Sequence, residues 1–242
     1  MGELCQVHIN LSNNIISNKM RKLFITGGNG DIGSSVSNIF EKNNYKVIKP
    51  SSLDLDLSDN NSIDNYFDNL KDVDIFIHCA GVNYPKSFFE IDDLELKNVM
   101  DINVNSFLRI AKYLAPFMIN NKYGYILSVS SLYGFISRKN RLLYTASKHS
   151  LNGMVKAMSL ELGNHNIKVN SLSPGFVNTR LTRKNNNKDK IKSWESKIPL
   201  GRLAEPRDIA RVSYFLCSEN TYITGQNIVV DGGYTIGGFE SD

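Results

Sequence analysis

The chain has 242 residues, 41% hydrophobic and 21% charged, with 17 glycines against 6 prolines, a composition that excludes collagen-like, mucin-like and disordered chains. Its 28 basic and 24 acidic residues leave a net charge of +4 with no basic stripe along one predicted helix, so nucleic acid is not an expected partner. Cys5, Cys79 and Cys217 form no CxxC unit and no pairable framework, which excludes a disulfide scaffold and a structural zinc site and leaves no metal expected.

Residues 1–19 are polar and asparagine-rich and are expected to be an appendage to one domain spanning 20–242. From Arg21 onward, short apolar runs alternate with segments of helical period. Strands are predicted at Arg21–Ile25, Tyr45–Ile48, Val73–His78, Tyr125–Val129, Ile167–Leu172 and Ile228–Val230. Helices are predicted at Ile32–Lys42, Ser62–Leu70, Asp92–Asn120, Tyr144–Leu162 and Pro206–Cys217, the last opening on proline. This order implies an α/β fold, a doubly wound parallel sheet of about seven strands with helices on both faces. One connection is too short for the pattern. After the second strand, Lys49-Pro50-Ser51-Ser52 runs almost directly into Leu53-Asp54-Leu55-Asp56-Leu57, where a crossover helix has no room, so a truncated loop is expected. No run approaches the roughly 18 apolar residues of a spanning helix. The amino terminus lacks the basic-then-apolar order of a signal peptide, so the expected location is the cytoplasm, away from any membrane.

The first strand ends in Thr26-Gly27-Gly28-Asn29-Gly30-Asp31-Ile32-Gly33, followed by the helix pattern Val36, Ile39, Phe40. Glycines at a strand-to-helix turn let the backbone approach a pyrophosphate, whose charge then meets free N–H groups and the helix dipole. Tight turns of this kind also need glycine for geometry alone. Further along, Tyr144 and Lys148 lie one helical turn apart, where an ammonium would lower the phenol's pKa from about 10 and prepare it as a proton donor. With 11 tyrosines in the chain such a pair arises by chance, and Tyr45 with Lys49 is a second one. Tyr144 is distinguished by Ser131 before it, at the end of a predicted strand, and by Asn103 in the preceding helical segment.

These segments resemble, in order, the motifs of the short-chain dehydrogenases/reductases. The glycine loop is similar to the family's Thr-Gly-x-x-x-Gly-x-Gly, with Asp31 in place of the middle glycine, where a carboxylate would cap the helix or repel the pyrophosphate. His78-Cys79-Ala80-Gly81 resembles Asn-Asn-Ala-Gly, and Asp56-Leu57 the segment that contacts adenine. Pro174-Gly175-Phe176-Val177-Asn178-Thr179 is similar to the Pro-Gly-x-x-x-Thr that borders the nicotinamide, and Gly201–Pro206, Thr224-Gly225-Gln226 and Val230–Gly233 follow the family's wording. The Ser131-to-Tyr144 spacing selects Ser131 over Ser130.

The resemblance implies a single Rossmann-like domain and an NAD(P)-dependent oxidoreductase that interconverts a carbonyl and a secondary alcohol. It is closest to the branch of 3-oxoacyl-[acyl-carrier-protein] reductases; a sugar or other polar-alcohol dehydrogenase is the alternative, and a non-catalytic dinucleotide-binding sensor the alternative of another class. It implies that Tyr144 is the general acid and base, that Ser131 polarises the carbonyl, that Lys148 also holds the nicotinamide ribose, and that Asn103 supports a proton relay. Dinucleotide contacts are expected from Gly27, Asn29, Gly30, Asp31, Ile32, Ser51, Asp56, Leu57, Ala80, Gly81, Asn103, Tyr144, Lys148, Pro174, Gly175, Val177 and Thr179. The second predicted strand ends in Lys49 and Ser51 rather than an acid, which favours NADP over NAD, with Asp54 the nearest carboxylate. Tyr84, Tyr133, Phe135, Phe176 and Trp194 are candidate walls of a pocket for a small-molecule or carrier-tethered carbonyl substrate. The polar segment 179–197 is expected to be a lid, with six basic residues between Arg180 and Lys192 facing a carrier, a phosphate or only solvent. A homotetramer is also implied.

Overall fold

Leu23 and Ile25 turn to one face of the first strand and Phe24 to the other, and all three are fully buried, as a strand covered on both sides requires. The computed structural model describes residues 20–237, so the appendage expected at 1–19 lies outside the described residues. Six parallel strands, β1 (Lys22–Thr26), β2 (Lys46–Ile48), β3 (Ile75–His78), β4 (Gly124–Val129), β5 (Ile167–Pro174) and β6 (Asn227–Val230), form one sheet in the order β2-β1-β3-β4-β5-β6. The direction of winding reverses between β1 and β3, and the carboxyl ends of these two strands open the crevice in which a sheet of this type binds its ligand.

The sheet has six strands where about seven were expected. At 51–57 the chain forms the truncated loop expected there: Asp54 and Leu55 donate their backbone N–H groups to the Ser51 carbonyl at 3.1 and 3.0 Å, so the segment closes into turns, and Leu55 drops into the core. The chain then enters α2 (Asn60–Phe67), whose first turn is capped by the Asp59 carboxylate on the Asn61 N–H at 2.9 Å. β2 is left as an edge strand.

Val36 and Phe40 of α1 (Asp31–Lys42) and Ile209 of α8 (Pro206–Tyr214) pack on one face of the sheet. Phe67 of α2, Phe107 and Leu114 of α4 (Ser106–Asn121) and Leu151 and Val155 of α5 (Leu142–Leu162) cover the other. The single helix expected over Asp92–Asn120 is interrupted: α3 (Asp93–Met100) passes through a π-helical turn, Asp101–Asn105, before α4 begins. A second π-helical turn, Phe215–Glu219, ends α8 early. Two short helices, α6 (Arg180–Asn185) and α7 (Lys188–Glu195), and a last turn, α9 (Tyr234–Gly237), complete the described residues, in which no helix is long and apolar enough to cross a membrane.

Candidate active site

The turn from β1 to α1 is built on two close backbone approaches. Gly27 has φ +65°, and a Cβ there would stand 2.7 Å from the Ala80 nitrogen; a Cβ on Gly33 would stand 2.1 Å from the Gly27 carbonyl oxygen. Thr26 ties this turn to the end of β3, its Oγ1 accepting the Ala80 N–H at 3.3 Å and lying 2.9 Å from His78 Nδ1. His78 is fully buried, and burial pushes its pKa down to about 3 against the opposing effect of the Asn103 and Ile102 backbone, so the ring is a neutral strut between the two strand ends.

Two chambers meet over the turn and share Gly27, Gly30 and Gly81. The first, about 420 Å³, is lined by Asn29, Ser51, Asp56, Leu57 and Ala80 among others. The second, about 500 Å³, is lined by Asp31 and Ile32, by Ser131, Tyr144 and Lys148, and by Pro174, Gly175, Val177 and Thr179. A cradle that a single Cβ would fill, at the N-terminus of a helix and between two chambers, fits a dinucleotide with its pyrophosphate over the turn. Every residue expected to touch the dinucleotide lines one chamber or the other except Asn103, which is buried behind the wall. Asp56 is committed within its own loop, accepting from the Ser58 N–H at 2.8 Å and hydroxyl at 2.7 Å.

Asp31 neither caps α1, whose N-cap is Gly30, nor stands as a bare charge. Its carboxylate accepts from the Arg180 backbone N–H and from Arg180 Nε, each at 2.6 Å, and these bonds hold it below the usual carboxylate range. The pair fastens the start of α6 across the glycine turn, a contact between residues 149 positions apart. Cys79, also on the wall of the second chamber, has its thiol pushed up to about 11 by burial.

Ser131 leaves β4, its Oγ accepting the Tyr133 N–H at 3.3 Å, and Tyr144 rises in the first turn of α5; both side chains line the second chamber. Ser130, one residue earlier, is 3% exposed and spends its hydroxyl on the Lys148 carbonyl at 3.4 Å. The expectation that Lys148 lowers the Tyr144 phenol is not met. Burial dominates and pushes the phenol up to about 12, with the Ser131 side chain acting the other way. Burial likewise pushes Lys148 down to about 8; its Nζ donates to the Val129 carbonyl at 2.7 Å and lies 5.5 Å from the Tyr144 ring centre. The phenol is therefore a fully protonated donor at neutral pH.

Asn103 sits in the π-helical turn, where the extra residue per turn rotates its amide into the interior. Its Oδ1 accepts the Val82 N–H at 2.8 Å, and its Nδ2 donates to the Val82 carbonyl at 2.9 Å and to Ser147 Oγ at 3.0 Å. Ser147 in turn donates to the Tyr144 carbonyl at 2.8 Å, so Asn103 braces the turn that carries the phenol. Of the expected pocket walls, Phe176 and Trp194 line the second chamber and Tyr133 meets the Tyr144 ring edge-on at 6.0 Å. Tyr84 and Phe135 do not line it: both are exposed, and Tyr84 accepts a hydrogen bond from Asn98 at 2.7 Å.

Comparison with known proteins agrees with this geometry. A family model described as enoyl-(acyl carrier protein) reductase matches residues 22–235. The 3-oxoacyl-[acyl-carrier-protein] reductase of Aquifex aeolicus is 32% identical over 216 residues, covering 87% of this chain and 86% of that protein. That of Buchnera aphidicola subsp. Schizaphis graminum is 35% identical over 207 residues, covering 82% and 81%. A 4-hydroxyisoleucine dehydrogenase solved with NADH superposes with a TM-score of 0.83 at 30% identity, over 90% of this chain and 99% of that one. With the glycine turn, the Ser131–Tyr144 pair and a match along nearly all of the described residues in agreement, the chain belongs to the short-chain dehydrogenase/reductase family of NAD(P)-dependent oxidoreductases.

Proposed function

We propose that this enzyme reduces the 3-oxo group of an acyl thioester carried by an acyl carrier protein, with NADPH as the reductant. The observation that carries the reading is the convergence of Ser131, Tyr144 and Lys148 on the wall of the second chamber, with the phenol held protonated by burial. The names of the curated relatives supply the substrate class. When bound, the dinucleotide supplies hydride to the carbonyl carbon. Tyr144 gives its proton to the carbonyl oxygen, Ser131 donates a hydrogen bond to the same oxygen as charge grows there, and Lys148 contributes a buried ammonium one turn away. Asn103 is a positioning residue. Segment 179–197 covers the substrate, held by the Asp31–Arg180 pair and by Trp194 stacked on Phe176.

The preference for NADP(H) rests on Ser51 and Ser52, which line the first chamber, and on Lys49, which precedes its lining residue Pro50 in the chain without lining the chamber itself. Neither Glu41, which pairs with Lys49 at 2.9 Å, nor Asp54, which accepts from the Ser51 hydroxyl at 2.7 Å, lines that chamber. Initial rates with NADPH and NADH against 3-oxoacyl thioesters, keto sugars and small ketones test both parts. The thioesters with NADPH should give the highest kcat/KM, and Lys49→Ala should narrow the margin over NADH. Greater efficiency with NADH would overturn the cofactor preference, and greater efficiency with keto sugars the substrate class.

The assembly proposed is a homotetramer. Leu108 of α4 and Leu160 of α5 present exposed apolar side chains, and β6, with Val229 outward, is an open sheet edge. Light scattering at micromolar concentration should give the mass of four chains; a monomer mass would remove this proposal.

A further inference from the structure

Next to the catalytic chamber lies another of about 560 Å³, with Phe176 and Trp194 lining both. Its walls are aromatic. The Phe176 and Trp194 rings lie parallel, 4.4 Å between centres and 7° apart, and Tyr234 meets Phe176 edge-on at 5.1 Å. Its rim carries cations from two separate parts of the chain: Arg138, between β4 and α5, and Lys190 and Lys197, on and just beyond α7. No aspartate or glutamate is among the lining residues that the structure describes.

The placement on α7 follows from helical spacing. Lys190, Ser193, Trp194 and Lys197 recur at intervals of three and four residues, fall on one face and line the chamber, whereas Lys188 and Lys192 do not. The basic run expected from the sequence to act as one cluster is therefore divided. Arg180 is taken by Asp31, and Arg183 donates to the Asn178 side chain at 2.7 Å. Of that run only Lys190 turns to this chamber, its Nζ 5.8 Å over the Trp194 ring, and it is joined by two cations from outside the run. Three like charges around one chamber, with no acid among its described lining residues, repel one another, and an anion placed among them relieves that repulsion.

We propose that Arg138, Lys190 and Lys197 form an anion subsite for the negatively charged group at the far end of the carbonyl substrate, its connecting arm lying along the Phe176–Trp194 stack. Either a phosphate on a pantetheine arm or the carboxylate of a free oxo acid supplies that chemistry. The inference rests on the oxidoreductase reading above and names the charge its substrate carries.

Trp194 is the only tryptophan of the chain, so its emission reports on the chamber without turnover. The full-length protein is titrated with 4′-phosphopantetheine, with uncharged pantetheine and with glutarate. Saturable change is expected with phosphopantetheine if the anion is a phosphate, or with glutarate if it is a carboxylate. Pantetheine should bind at least about tenfold more weakly, and affinity for the anion should fall as salt rises. Arg138→Glu and Lys190→Glu should each abolish most of the anion binding. In turnover they should raise KM for an anionic oxo substrate about tenfold with kcat retained, and leave a neutral ketone unaffected. Circular dichroism checks that these exposed substitutions leave the fold intact. Equal binding of pantetheine and phosphopantetheine with no response to glutarate, absence of saturable change with both anions, or indifference to both substitutions would overturn the subsite. Failure to oxidise NADPH with the neutral ketone and the thioesters alike would defeat the oxidoreductase reading instead, and the titration does not depend on it.

Discussion

Replacing Tyr144 by phenylalanine is expected to lower the reduction rate by about 10² to 10⁴-fold while dinucleotide affinity stays close to wild type. The substitution keeps the ring and its edge-on contact with Tyr133, and removes only the O–H. Single-turnover rates beside a dinucleotide titration separate the two effects; a rate near wild type would assign the proton donor to another group. The pH profile should show which group limits the wild type. A phenol pushed up to about 12 stays protonated through the working range, whereas Lys148, pushed down to about 8, loses its charge first. The rate should therefore fall above about pH 8, a limb belonging to Lys148. The stability effect has the opposite sign: the fold disfavours the ammonium, so stability rises between about 8 and the ordinary 10.5.

Gly33→Ala should cost the enzyme its dinucleotide. The added carbon would stand 2.1 Å from the Gly27 carbonyl oxygen, backbone against backbone, with no flexible side chain to yield. The turn must then open. Overpacking of this kind costs about 1–3 kcal/mol, and here the strain falls on the loop that cradles the pyrophosphate. Calorimetric titration should show dinucleotide affinity reduced by more than about tenfold, together with a lower Tm. Unchanged affinity would mean that the pyrophosphate lies elsewhere.

Much of this fold was legible because strands buried on both faces write themselves as short apolar runs, and β1 and β3 to β6 lie within two residues of their expected starts and ends. The truncated loop was legible in the length of chain after β2, which leaves no room for a crossover helix before Leu53. The π-helical turn was not legible: the apolar period runs through Asp101–Asn105 with too small a disturbance to show, although the spacing had already singled out Asn103. Helices α6 and α7 carry so little apolar surface that the segment reads as polar loop. Contacts between distant backbone and side chains leave no local trace. Neither the Val129 carbonyl that holds Lys148 nor the arginine that receives Asp31 is marked by anything in its own neighbourhood. The expected effect of Lys148 on Tyr144 failed for a related reason, because spacing reports proximity but burial set the phenol.

Among the described residues β2 is a margin of the sheet, the kind of edge that another chain extends by pairing. This margin is poorly suited to that use. It is three residues long, begins with the exposed Lys46, and is followed by Lys49 and Pro50, so it offers few free backbone groups, two like charges, and then a residue with no N–H to donate. The margin beside the shortened connection is thus no template for aggregation.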